Sequence, residues 1–391
     1  AYSRLGSKGV GQMALVLNEE QNMLKESAQG FLSEHAPVAQ LRQLRDERSE
    51  LGYDKATWQQ MVELGWSGIL VPEAHGGLEF GHVGMGQVME ENGRTLTASP
   101  LLSTAVLAAS AINSAGTEAQ KKALLPALVD GSLLLAVALD EGPKYHPSLV
   151  KTSAMASGEG YVLNGEKQFV CDGHIADKLI VSARTSGDAG DEQGISLFII
   201  DSATPGVEIE RVYLADSRNS SMVRLSNVEL GADALLGEKD GGASLITYLA
   251  AVANVHLSAE LLGMSQEVFE RTVQYMKERS QYGALIGSYQ GLQHRAAHMF
   301  SEIELAKSVV IKALQALDEN AAKLSLLASV CKAKVSEVVT LVTNEGVQLH
   351  GGIGMTDELD IGFFMKRARV AEQQFGDRRY HVQRFASLQS Y

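Results

Sequence analysis

Cysteine is nearly missing from this chain of 391 residues, which carries only Cys171 and Cys331. Two thiols cannot build a disulfide framework and offer no metal-ligand cluster, so no metal site is expected and a reducing, cytoplasmic setting is. Long apolar runs are missing as well. None approaches the roughly 18 to 20 residues of a membrane span, and no charged-then-apolar leader precedes a cleavage site. Positive charge is in deficit, with 34 basic against 47 acidic residues and a net charge of −13. Nucleic acid is therefore not an expected partner, and an anionic ligand needs cations placed locally for it.

The remainder is ordinary for a soluble globular protein, with 45% hydrophobic and 21% charged residues and a length that allows two or three packed units. The opening Ala1 to Gln12 is Gly/Ser-rich and aperiodic, and Met13 is a natural start, so residues 1–12 are set aside as an expression scar. Residues 13–130 read as helical. Asn18-Glu19-Glu20-Gln21 has the form of a capping box, ahead of Met23, Leu24, Ala28, Phe31 and Leu32 at helical spacing; Thr117-Glu118-Ala119-Gln120 repeats that form. Further helices are expected around Trp58 to Leu64, Met85 to Asn92 and Leu101 to Asn113, and no strand-like run appears before residue 130.

At Gly131-Ser132 the period changes. Leu133 to Leu139 is an apolar run of strand length, and Tyr161 to Leu163 and Glu166 to Val170 flank Asn164-Gly165, a two-residue hairpin signal. Short strands at Lys178 to Ala183, Ile195 to Asp201, Val207 to Val212 and Met222 to Leu225 extend this to a β-domain, a small sandwich or barrel, over residues 131–240. Residues 241–391 return to helical spacing. Leu257, Leu261, Met264 and Val268 form one apolar stripe; Met299, Ile303, Ala306 and Val310 a second; Leu327, Cys331, Val335 and Val338 a third. Long amphipathic helices joined by short turns predict an antiparallel bundle, and the chain as a whole an α+β protein.

Gln348-Leu349-His350-Gly351-Gly352-Ile353-Gly354 closes the last long helix, and these glycines either pack on a phosphate or end the helix. With Lys366-Arg367-Ala368-Arg369 and a late acidic residue, the segment resembles the flavin-dependent acyl-CoA dehydrogenase family. Gly65-Trp66-Ser67-Gly68-Ile69-Leu70-Val71-Pro72-Glu73 with Gly76-Gly77 is similar to a second family segment, and helix, β, helix is the family's order, ending in a four-helix bundle. The resemblance covers essentially everything after Met13.

That resemblance implies FAD, an acyl-CoA thioester, an electron-transfer flavoprotein or similar acceptor, and an oligomer, homomeric or heteromeric, that shares its FAD sites. Gln348, Gly351 and Gly352, with Arg279, Tyr282, Gly283 and Gln290, fall where the family contacts the FAD of an adjacent subunit. An arginine fork there supplies the charge-assisted hydrogen bonds that a pyrophosphate requires. Phe169 falls where an aromatic covers the isoalloxazine, and Cys171 where a hydroxyl residue bonds near N5; a thiol is only a weak donor.

The α-proton of a thioester is weakly acidic, so a carboxylate must stand beside it. Counting forward from Lys366 puts Phe375 in the family acid's place, while counting back from Gln383-Arg384 puts Asp377 there; the second count supplies a carboxylate, and Asp377 is the expected base. Some family members carry the acid on the long helix instead. That place falls here at Ala253-Asn254, which cannot serve, and Glu260 is a turn or more removed. The loop Leu139-Asp140-Glu141-Gly142-Pro143-Lys144-Tyr145-His146-Pro147-Ser148 departs from the family's flavin-contacting pattern, which only Glu141 and Ser148 retain. Besides a dehydrogenase acting on its own, two alternatives stand: a half-site subunit of a heteromeric dehydrogenase, and a related flavin oxidase of the nitroalkane type with an aspartate base.

Overall fold

The computed structural model describes residues 15–391, and the lead of residues 1–12 lies outside them. Six helices come first: α1 (Glu19–His35), α2 (Val38–Asp46), α3 (Lys55–Glu63), α4 (Gly81–Thr95), α5 (Ala109–Ala115) and α6 (Glu118–Val129). Both expected capping boxes form. Asn18 Oδ1 accepts from Gln21 N–H at 2.8 Å while Gln21 Oε1 accepts from Asn18 N–H at 3.0 Å, and Thr117 and Gln120 repeat the exchange ahead of α6. The helix expected from Leu101 enters as a π-helix, Leu101–Ala108, and continues as α5.

The strands are β1 (Leu135–Ala138), β2 (Ser153–Ser157), β3 (Gly160–Cys171), β4 (Lys178–Arg184), β5 (Ile195–Asp201), β6 (Val207–Tyr213), β7 (Asn219–Leu230) and β8 (Leu235–Leu236). They make one eight-stranded sheet in the order β6-β7-β3-β2-β4-β5-β8, with β1 parallel to β4. Asn164-Gly165 is not a hairpin turn. β3 runs straight through it, and the turn sits at Gly158-Glu159, where Ser157 pairs with Gly160. Asn164 Oδ1 instead accepts from Asn227 N–H at 2.8 Å, and the β3–β7 register shifts between Leu163 and Gly165, so the dipeptide makes a bulge.

The last third comprises α7 (Gly242–Glu278), a short hairpin of β9 (Ser280–Gln281) and β10 (Ala284–Leu285), then α8 (Gln290–Asp318), α9 (Leu324–His350), α10 (Ile361–Gln373) and α11 (Arg378–Leu388). Among the described residues only α7 is long and apolar enough to cross a membrane by length, and its most apolar window is 89% buried within the protein. It is the central core helix. Where α4 crosses it the backbones touch: a Cβ on Gly93 would meet Glu260 O at 2.0 Å, and one on Gly263 would meet Glu90 O at 1.8 Å. Those two glycines bring Glu260, on α7, inward toward α10.

A large apolar core links the helices to one face of the sheet, and a smaller one, built from Leu163, Val181, Phe198 and Val223, fills the β-domain. The path of α10 connects two surfaces. It starts beside the glycine turn that ends α9 and finishes against the end of β3, so its thirteen residues hold them about 20 Å apart.

Candidate functional site

Where α10 ends, a cavity of about 300 Å³ opens between helices and sheet. One wall is the end of β3, with Phe169, Val170 and Cys171; the opposite wall is Arg369, Val370, Gln373, Gln374 and Phe375. Leu139, Asp140, Pro143 and Tyr145 close the third side. Phe169 and Phe375 both hold φ at 54°, the left-handed region that costs a non-glycine residue energy. Aromatic faces are thus presented by strained backbone on both sides.

The strain at Phe375 is held by groups from three other segments. Lys332 Nζ, fully buried, donates to Ala371 O at 2.9 Å and Gln374 O at 2.7 Å, placing a cation on the carbonyls that end α10. Burial and the nearby Arg367 pull its pKa down to about 7. Asn254 Nδ2 donates to Phe375 O at 3.2 Å, and His381 Nε2 lies 3.1 Å from the same oxygen. A carbonyl can only accept, so Nε2 carries the hydrogen; burial and Lys332 hold His381 neutral, with its pKa down to about 3. Earlier along α10, Arg367 forks onto both oxygens of Glu260 at 2.8 and 2.9 Å and reaches Asp216 at 2.9 Å, all three fully inside the protein.

The loop side is fastened differently. Lys167 is completely buried, donating to Glu141 Oε1 at 2.5 Å and Ser182 Oγ at 2.8 Å, and Glu141 in turn accepts from the backbone of Lys151 and Thr152. Glu141 is therefore spent on closing the loop. Its neighbour Asp140 is the carboxyl that faces the cavity; burial pushes its pKa up to about 6, against the pull of Lys167. Tyr145 stands edge-on to Phe375 and Tyr380, and its hydroxyl is buried with no hydrogen-bond partner.

Asp377, the expected base, stands off the cavity wall. Its carboxylate caps α11, accepting from Tyr380 N–H at 2.8 Å, and it is absent from the cavity wall that Phe375 occupies. The cause is local: Gly376, at φ 101°, turns the chain straight into α11, whose first turn needs an acceptor for its free N–H groups. Phe169 and Cys171 do line the cavity; the Cys171 sulfur lies 3.5 Å from Asp172 Oδ2, and burial raises its pKa well above the ordinary thiol range.

The other expected residues gather at the far end of α10. Arg279, Tyr282 and Gln290 flank the β9–β10 hairpin, and Gln348, Gly351 and Gly352 end α9; all six are exposed. The two groups are neighbours, since Tyr275 near the end of α7 stacks on His350 at 4.5 Å. None of the four side chains makes a hydrogen bond or ion pair among the described residues, and a Cβ on Gly351 or Gly352 would meet open space. Within one chain, then, the aromatic cavity and the Arg279 cluster do not meet. Sequence reasoning missed Asp140, Tyr145 and Lys332, and it weighed Asn254 only as a failed base rather than as the group that holds Phe375.

Comparisons with known proteins follow the helical, β and helical parts of the chain. Three family models match in succession: the acyl-CoA dehydrogenase N-terminal domain at residues 18–132, the middle domain at 140–228 and the C-terminal domain at 240–386. The chain is 30% identical over 366 residues to the probable acyl-CoA dehydrogenase YngJ of Bacillus subtilis (strain 168), covering 92% of this chain and 95% of that protein. Butyryl-CoA dehydrogenase from Megasphaera elsdenii superposes with a TM-score of 0.88 at 26% identity, covering 97% of this chain and all of that one. The Tcur3481–Tcur3483 steroid ACAD gives 0.86 at 31% identity, over 95% and 98% of the two chains. The fold and site define a three-domain flavoprotein scaffold with an aromatic cavity at its centre. This chain belongs to the acyl-CoA dehydrogenase family, a family of oxidoreductases whose reaction is FAD-dependent dehydrogenation.

The residues suit such a cofactor. A flat aromatic ring system needs an apolar slot with a few unmatched polar atoms, and the cavity supplies Phe169 together with the orphaned Tyr145 hydroxyl and Gln374 Oε1. A dinucleotide's anionic half needs an uncommitted cation near open backbone, and Arg279 and Gly351-Gly352 are of that kind.

Proposed function

We propose that the protein is an FAD-dependent acyl-CoA dehydrogenase that converts an acyl-CoA thioester to its trans-2-enoyl form and passes the electrons to an electron-transfer flavoprotein or similar acceptor. The observation that carries this reading is the cavity itself, where Phe169 and Cys171 of β3 face Arg369 and Phe375 of the α10 end across about 300 Å³. When bound, FAD supplies the hydride acceptor. The chain's own residues do the rest: the aromatic walls orient the thioester and exclude water, while a carboxylate takes the α-proton.

On this reading Asp377 is that carboxylate. It stands two residues past Phe375, on the turn that closes the cavity, and acts after its side chain rotates off Tyr380 N–H. FAD contacts come from two chains, because Arg279, Gln290 and Gln348 lie at the opposite end of α10 from Phe169.

A second reading has its own observation. Phe375 occupies the wall where the forward count expects the family acid, and Asp377 is engaged as a helix cap. This favours a heteromeric dehydrogenase in which a partner chain of the same fold supplies the base. The test is an anaerobic titration of the purified protein against a panel of acyl-CoA thioesters. Bleaching of the flavin band by the chain alone supports the first reading. Bleaching only after co-expression with a homologous partner supports the second, and a yellow protein that no thioester bleaches in either form refutes both.

A further inference from the structure

Behind the main cavity lies a second chamber of about 30 Å³, room for one or two water-sized groups. The two share four wall residues, Cys171, Leu214, Val370 and Gln374, so the partition between them is one side chain thick. The main cavity is mostly apolar; the chamber is not. Its wall carries four side chains with polar atoms that lack a hydrogen-bond partner: Asn92 Oδ1, Ser99 Oγ, Arg218 Nε, and Gln374 Oε1 on the partition shared with the main cavity. Asn92 is only 4% exposed, so its orphaned acceptor has no bulk water to turn to.

Charge in the chamber is already matched. Arg367 is paired with Glu260 and Asp216, Arg218 lies 3.5 Å from Glu260 through Nη2, and Asp172 stands beyond them. Two guanidinium groups therefore face three carboxyls, and an added anion would find no uncompensated cation. A neutral group that both accepts and donates fits better: its oxygen accepts from Arg218, and its hydrogen goes to Asn92 Oδ1 or Ser99 Oγ.

We propose that this chamber is a polar subsite for the far end of the acyl chain, taking a hydroxyl group held between Arg218 and Asn92. The inference rests on the acyl-CoA reading of the main cavity and adds the substrate class: an acyl-CoA whose tail ends in an alcohol, as opposed to a plain alkyl chain or a second carboxylate. A site built to bond a hydroxyl discriminates strongly against the analogue lacking it, because its polar groups are then left unpaired.

The experiment measures equilibrium binding of matched acyl-CoA thioesters to the FAD-loaded protein, with and without a terminal hydroxyl, over chains of about four to ten carbons, and follows flavin bleaching alongside. At the chain length that reaches the chamber, the hydroxylated thioester is expected to bind at least about tenfold tighter. That preference should fall towards one in Asn92→Leu and in Arg218→Met; if the arginine variant fails to fold, the asparagine variant alone decides. Equal binding of both members at every length means a resident water only, and overturns the subsite. Because binding is read without turnover, the two readings fail separately. A tenfold preference without bleaching sinks the dehydrogenase and keeps the subsite, whereas bleaching without preference does the reverse. Binding of neither thioester overturns both.

Discussion

The two ends of α10 are built on opposite principles. At its C-terminal end the chain completes itself: Lys332, Asn254 and His381 take up the carbonyls of Ala371, Gln374 and Phe375, and Arg367 is locked to Glu260 and Asp216 deep inside. Beside the other end, where Asp360 is paired with Arg42 and Arg271, a neighbouring cluster is left open. Arg279, Tyr282, Gln290 and Gln348 stand exposed without side-chain partners among the described residues, and Tyr282 is 95% exposed. A half-buried turn whose carbonyls are bonded and whose backbone is strained is a surface shaped for a ligand, while an exposed cation beside bare glycine backbone is half of one. On the proposed function the first end serves this chain's own site and the second a neighbour's.

The sharpest way to break that assignment is at Asp377. Asparagine caps a helix as well as aspartate does but cannot take a proton. Asp377→Asn should therefore keep the thermal midpoint and the bound flavin while lowering acyl-CoA bleaching about 10²- to 10⁴-fold, the usual loss of a general base. Asp377→Ala should lose bleaching and also about 1 kcal/mol of stability with the cap. If the asparagine variant bleaches at the wild-type rate, Asp377 is a cap only, and the self-sufficient end of α10 lacks its own base.

Next in size is the ionic lock. Glu260→Ala leaves Arg367 buried against Asp216 alone, and removing one partner of a buried pair typically costs about 3 to 5 kcal/mol. Denaturant unfolding should show that loss, and Glu260→Gln, which keeps hydrogen-bonding atoms, a smaller one. A cost under about 1 kcal/mol would mean that α10 is held by its apolar face and that the lock adds little.

How far this was legible in the sequence depends on the same contrast. Period and capping chemistry are local, so Asn18 to Gln21 and Thr117 to Gln120 announced α1 and α6, and the change of period at Gly131 announced the sheet. Asn164-Gly165 misled because a turn signal says nothing of which partner the asparagine finds; here it finds Asn227, sixty-three positions away. The site was harder still. Phe169 and Cys171 were readable from a matched frame, but Lys332 reaches Gln374 across forty-two positions and Asp140 acquires its character only from burial, and neither fact has a spacing. Asp377 is the instructive case. Both counts fit the sequence, and what the α11 N-terminus adds is a second task for Asp377, as the acceptor for its free N–H groups.

A third test concerns Asp140, the carboxyl on the wall of the finished end. Its pKa in the fold, about 6, lies above the ordinary 3.8, so the folded protein favours the protonated form. The stability this contributes is complete below pH about 4 and is lost as pH rises through 6. Asparagine cannot ionise and escapes that loss. The unfolding free energy of Asp140→Asn should therefore gain on wild type between pH 4 and 7, by about 3 kcal/mol at the upper limit, and then level off. A difference that does not change with pH would mean that Lys167 compensates the charge in full and that the cavity wall is not short of solvation at this point.

The smallest effect on stability is expected at the unfinished end, where the contrast is easiest to overturn. Arg279 has no partner within the chain among the described residues, so Arg279→Ala should leave the unfolding free energy unchanged within about 0.5 kcal/mol. A charge-assisted bond to an anion is worth roughly 1.5 to 3 kcal/mol, so flavin retention should nevertheless weaken about tenfold or more. The loss should also depend on protein concentration. If Arg279 serves a neighbouring chain's cofactor, dilution separates the chains and releases flavin sooner from the variant than from wild type. If it serves its own chain, dilution makes no difference. Flavin content measured after gel filtration at several loading concentrations separates these outcomes. Retention that is lowered but independent of concentration would bring the two ends of α10 back into one chain's site, which the roughly 20 Å between them makes hard to reconcile with a single bound dinucleotide unless its two halves span the full length of the helix.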